Sequence, residues 1–108
     1  MAFIKKITSK EDYDNFINGN EKVVVKFSAE WCGPCRVLEN TLIGLDKEKL
    51  NGFNLCEVDV DDEFADAITM SLGIRNIPVT LFIKDKEIKQ KFVGIISDKQ
   101  IYEEVTKY

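Results

Sequence analysis

Apolar positions along the chain follow two alternating rhythms, one alternating or continuous as in strands and one of about 3.6 residues as in helices. Residues 3–7 read as a short first strand. Ser9, with Asp12 three positions on, resembles a capping box that opens a helix. Tyr13, Phe16 and Ile17 supply that helix with one apolar face, and Gly19-Asn20 ends it. Residues 23–28 are β-branched and apolar on both faces except at Lys26 and Ser28, the pattern of an interior strand covered on both sides. After Cys32-Gly33-Pro34-Cys35, residues Val37, Leu38, Leu42, Leu45 and Leu50 predict a long amphipathic helix closed by Asn51-Gly52.

The second half keeps the alternation. Residues 53–60 form a strand pattern, with Cys56, Val58 and Val60 on one face and Leu55, Glu57 and Asp59 on the other. Asp61 or Asp62 is placed to cap a helix carrying Phe64, Ala65, Ile68 and Met70, ending near Gly73. Residues 79–83 and 88–93 are strands joined by a charged hairpin turn, Lys84-Asp85-Lys86-Glu87. Ser97 opens a last helix with Ile101 and Val105 facing inward. The order βαβαβαββα predicts an α/β domain, a mixed sheet sandwiched between helices whose last two strands are antiparallel. No repeat or linker interrupts it, so residues 1–108 are read as a single domain.

Composition narrows the function. With 15 basic and 19 acidic residues the net charge is −4, which lacks the basic excess of a nucleic-acid binder. No apolar run approaches the roughly 20 residues that span a bilayer, and the first residues carry no signal-peptide pattern. The expectation is a cytoplasmic protein without membrane or nucleic-acid partners. Histidine is absent, which removes Cys–His catalysis and His-ligated metal sites. Three cysteines do not make the paired framework of a secreted domain.

Cys32 and Cys35 carry the chemistry. They fall between a predicted strand and a predicted helix, where unpaired N–H groups and the helix dipole favour a thiolate on Cys32. Cys35, one turn along the helix, is spaced to attack a mixed disulfide on Cys32. Pro34 suits a first helical turn, which needs no N–H. A structural disulfide and half of a four-cysteine metal site remain the alternatives on spacing alone. The latter lacks a second pair, since Cys56 stands by itself and is expected to point into apolar core.

The segment Phe27-Ser28-Ala29-Glu30-Trp31-Cys32-Gly33-Pro34-Cys35-Arg36 is similar to the active site of the thioredoxin family. Gly73-Ile74-Arg75-Asn76-Ile77-Pro78 and Phe92-Val93-Gly94 resemble its two other motifs, in the same order. The resemblance covers essentially the whole chain. It implies a thioredoxin fold with a five-stranded sheet and four helices, two on each face, and reduction of protein disulfides. Cys32 then resembles the attacking thiol and Cys35 the resolving one. Trp31, Gly33, Pro34, Ile77, Pro78 and Gly94 resemble the substrate-binding surface. Within it the Ile77–Pro78 bond is expected to be cis, and Gly94 to keep the groove wall free of a side chain. No bound cofactor or metal is implied. Electrons are expected from an NADPH-dependent thioredoxin reductase, the other partners being disulfide-containing proteins, and the protein is expected to act as a monomer. A non-redox binding subunit of a larger assembly is the alternative.

The chain also departs from the family. Lys26 stands where the family usually has a buried aspartate, and Glu57 where it commonly has a lysine. The two are expected to form a partly buried ion pair on adjacent strands. Glu57 is then expected to take over proton transfer at Cys35, while a charged Lys26 favours the thiolates; the alternative is a structural exchange without catalytic role. Ser28 replaces a common aromatic residue, predicting a looser, more polar site floor. Asn40 replaces a helix-kinking proline, and Thr80 falls one position later than the threonine that usually follows the proline. Arg36 is read as a solvated side chain adding positive potential.

Overall fold

The computed structural model describes residues 2–108; Met1, the first residue of the single predicted domain, lies outside them. Five strands are β1 (Ile4–Lys6), β2 (Lys22–Ser28), β3 (Asn54–Asp59), β4 (Val79–Lys84) and β5 (Glu87–Val93). Four helices are α1 (Lys10–Gly19), α2 (Gly33–Ile43), α3 (Ala65–Leu72) and α4 (Asp98–Val105), with a short 3₁₀ turn at Lys47–Lys49. The strand order is β1-β3-β2-β4-β5. β3 runs parallel to both β1 and β2, while β4 is antiparallel to β2 and to β5. The mixed sheet and its antiparallel last hairpin are as the pattern predicts. The hairpin turns through Asp85 and Lys86, both at positive φ (51° and 68°), the hand that matches strand twist.

The two sheet faces bury different helices. Val23, Val25, Phe27, Cys56, Val58, Val79 and Leu81 face α1 and α3, meeting Tyr13, Phe16 and Ile17 of the first and Ala65 and Ile68 of the second. Val24, Leu55 and Phe82 face α2 and α4, meeting Leu38, Leu42, Ile101 and Val105. The second face changes character along its length. Beyond Val24, Leu55 and Phe82 come Lys26, Glu57 and Thr80, paired across the strands, and then Ser28 beside Asp59. This polar half lies at the C-terminal ends of β2 and β3.

Four local expectations need correction. The long helix stops at Ile43: Gly44 caps it, and the Asp46 side chain accepts the Glu48 N–H to begin a separate turn. Leu45 and Leu50 are buried, as their apolar character requires, but from this irregular segment rather than from a helix face. Val37 and Met70 are exposed, Met70 at 81%, and Leu72 takes the inward place on α3. Neither Asp61 nor Asp62 caps α3 with its side chain; Phe64 occupies the cap position, and Asp62 contributes only its carbonyl, to the Ala65 N–H.

Candidate functional site

Every site residue singled out from the sequence lies at the end of the sheet formed by the C-termini of β2, β3 and β5 and the start of β4. β2 delivers the chain through Ala29 into a turn closed by the Cys32 N–H donating to the Ala29 carbonyl at 3.2 Å. Cys32 is the N-cap of α2, and its Sγ accepts the Cys35 N–H at 3.2 Å. Gly33 and Pro34 form the exposed first turn. Cys32 and Cys35 are joined as a disulfide with their Cα atoms 5.2 Å apart. Both are buried, together with Ala29, and Val60 and Ile77 pack against them. The helix start thus aims an N–H group at the Cys32 sulfur, an arrangement that favours negative charge there.

The loop facing the cysteines contains a cis Ile77–Pro78 bond, as expected. Ile77 takes part in none of the loop hydrogen bonds, while the Pro78 carbonyl accepts the Gly94 N–H at 2.8 Å. Gly94 therefore ties the end of β5 to the proline loop. Its requirement for glycine is conformational: φ is +95°, and a side chain there would meet no atom within 4 Å.

Trp31 is 69% exposed beside the cysteines, and its indole N–H donates to Asp61 at 2.8 Å. Asp61 is in turn fixed by donating its own N–H to Asp59 Oδ1. Arg36 is not merely solvated: its guanidinium donates twice to the Glu30 carbonyl, at 2.9 and 3.2 Å, bracing the turn that presents Trp31 and Cys32. Neither partnership had a signal in the sequence, because each depends on where a loop folds back.

Beneath the dithiol lies the charge exchange. Lys26 and Glu57 are register partners on β2 and β3, and Lys26 Nζ donates to Glu57 Oε1 at 3.1 Å. The lysine side chain is almost wholly buried; the glutamate retains 15% exposure. Ser28 Oγ donates to the same Oε1 at 2.9 Å, a bond the sequence reading missed. Ser28, Lys26, Glu57 and Cys35 all line one cavity of about 510 Å³, and the buried hydroxyl of Thr80, opposite Lys26, has no hydrogen-bond partner among the described residues. Cys56 lies on the other sheet face, where burial is the main cause pushing its thiol up to about 12. No group of residues suited to hold a metal ion occurs among the described residues, and no described helix is long and apolar enough to cross a membrane.

A helix-capping cysteine disulfide-linked to a second one turn along, faced by a cis-proline loop on a mixed sheet, defines a thiol–disulfide oxidoreductase. A model of the Thioredoxin family matches residues 4–107, and the chain belongs to that family. It is 35% identical over 100 residues to a thioredoxin of Mycoplasmoides gallisepticum, covering 93% of this chain and 97% of that one. Against chloroplastic thioredoxin M5 of Oryza sativa it is 32% identical, covering 94% of this chain and 59% of that one. Among solved structures, Fasciola hepatica thioredoxin superposes with a TM-score of 0.82 at 28% identity, over 96% of this chain and 98% of that one.

Proposed function

We propose that this chain reduces disulfides in other proteins, with Cys32 as nucleophile and Cys35 as resolving thiol. The observation that carries the reading is the placement of Cys32 Sγ on the N-terminus of α2, accepting the Cys35 N–H, with Cys35 buried within bonding reach. In the reduced protein the Cys32 thiolate attacks one sulfur of a target disulfide; that bond breaks, a Cys32–target disulfide forms, and the other target sulfur leaves as thiolate. Cys35 then gives up its proton and attacks the Cys32 sulfur. The Cys32–Cys35 bond closes and the second target thiolate departs, so two electrons have passed to the target.

In this reading Glu57 takes the Cys35 proton; in support, Glu57 shares a cavity with Cys35 and is held by the buried Lys26. Trp31, Gly33, Pro34, Ile77, Pro78 and Gly94 form the docking surface in this reading. Ile77 keeps backbone groups available to an extended target segment in the manner of strand addition. An NADPH-dependent thioredoxin reductase is the electron donor that family membership favours. A reducing compartment, the cytoplasm, suits a recycled dithiol in a chain whose third cysteine, Cys56, is free.

The test is reduction of insulin with NADPH and a thioredoxin reductase, alongside an arm driven by dithiothreitol. Turnover is expected in both arms and is expected to vanish in Cys32→Ser. Cys35→Ser is expected to accumulate a target adduct resolved on non-reducing gels. Failure of both arms in the intact protein would favour a non-redox binding subunit.

A further inference from the structure

We infer that Ser28 is a positioning residue for proton transfer at Cys35: with Lys26 it occupies one oxygen of Glu57 and so turns the other, Oε2, toward the cavity that Cys35 lines. This rests on the role proposed above for Glu57.

The geometry is specific about the two oxygens. Ser28 Oγ and Lys26 Nζ both donate to Oε1, at 2.9 and 3.1 Å, and Oε2 receives no hydrogen bond from the described residues. A carboxylate rotates easily about its last side-chain bond, so it must be held if one oxygen is to face a chosen direction. Lys26 cannot choose by itself, because an ammonium is a compact charge with three rotatable donors that either oxygen satisfies. Ser28 supplies the asymmetry. Its short side chain stands two residues from Lys26 on the same face of the central strand β2, and it is 4% exposed. Its small volume also leaves room for the cavity it lines, between the sheet and the start of α2.

Other charged groups reach this cavity without bonding Glu57. Lys6 comes from β1, Asp59 from β3, Arg36 and Glu39 from α2, and Glu30 and Asp62 from the flanking loops. Arg36 is already committed to the Glu30 carbonyl. In the resolving step the Cys35 S–H proton passes to Glu57 Oε2. The sulfur electron pair forms the bond to Cys32 as the Cys32–target bond breaks, and the target sulfur leaves as thiolate. Glu57 then releases the proton to water in the cleft.

The two halves of the exchange separate when reduced protein is mixed with excess 5,5′-dithiobis(2-nitrobenzoate) in a stopped-flow instrument. One nitrothiobenzoate is released by Cys32 attack and a second, independent of reagent concentration, by Cys35 attack. The rate of the second release is measured from pH 5 to 9 for wild type, Glu57→Gln, and the isosteric pair Ser28→Thr and Ser28→Val, with Ser28→Ala as a further hydroxyl-free variant. Glu57→Gln is expected to lose the acid limb and slow the second release by about 100-fold at pH 7. A carboxylate deprived of a donor holds its proton more tightly, so Ser28→Val and Ser28→Ala should move that limb to higher pH. On the limb this is a roughly three- to tenfold slower release at fixed pH. Ser28→Thr is expected to keep the wild-type limb. Hydroxyl-free profiles that superpose on wild type, with Glu57→Gln altered, would overturn the role of Ser28 alone. If Glu57→Gln also superposes, the proton-acceptor reading of Glu57 falls with it.

Discussion

Cys32, Cys35 and Cys56 share a side chain and little else. The first caps a helix and receives an N–H; the second is buried beside a polar cavity; the third sits in an apolar sheet face. Burial, reinforced by the charges of Asp12 and Glu57, pushes the Cys56 thiol up to about 12 from its ordinary value of 9.0. Iodoacetamide at pH 8 is therefore expected to label Cys32 in the reduced folded protein and to leave Cys56 unmodified until denaturant is added, which peptide mass mapping checks. The shift also has a sign in stability. Between pH 9 and 12 the unfolded chain releases a proton that the folded chain keeps, so this contribution is present at neutral pH and is lost as pH rises. Urea unfolding at pH 8 and 10.5 should show a smaller alkaline loss in Cys56→Val than in wild type, by on the order of 1 kcal/mol. Burial of Cys56 was legible from its alternation with Val58, whereas the partners of Trp31 and Arg36 were not, since those contacts depend on loop paths.

At the level of elements, end signals were legible where a side chain bonds its own neighbours. Ser9 accepts the Asp12 N–H, and Ser97 and Gln100 complete a reciprocal capping box on α4 at 3.1 and 2.9 Å. Ser97→Ala should cost about 1 kcal/mol and lower Tm by roughly 4–8 °C. Disulfide-exchange rates at 25 °C should be unchanged, because α4 supplies nothing to the dithiol site; thermal melts and the insulin assay check the two halves. Signals failed where a side chain was claimed elsewhere. Asp61 accepts from Trp31 instead of capping α3, and Asp46 starts its own turn instead of letting α2 run on to Leu50. An apolar periodicity cannot distinguish a continuous helix from a helix followed by a buried irregular segment, because both place leucines inward.

Across the whole molecule, the face covered by α2 and α4 is apolar at one end and ionic at the other, and the ionic end is where the dithiol sits. Lys26 joins β2 to β3 there through Glu57. Removing one member of such a pair strands the other, so Lys26→Met should destabilise the fold by about 3 kcal/mol at pH 7. The loss should shrink when Glu57→Gln removes the stranded charge as well, and urea unfolding of the single and double variants measures it. An equal loss with and without Glu57→Gln would mean that packing of the lysine stem, rather than its charge, is what β2 requires.

By itself the sequence determined the kind and order of the elements, the two-faced burial of β2 and β3, and the capping cysteine with its partner one turn on, which follow from local periodicity and helix-end chemistry. The pairing of Lys26 with Glu57 was legible only through the family resemblance, which supplies the strand neighbours. Tertiary structure alone decided which oxygen of Glu57 is occupied, that Ser28 holds it, that Arg36 braces the Trp31 turn, and that Gly94 ties β5 to the proline loop. Each of those depends on a distance of about 3 Å between groups whose separation is set by packing and loop closure, and no spacing along a chain encodes such a distance directly.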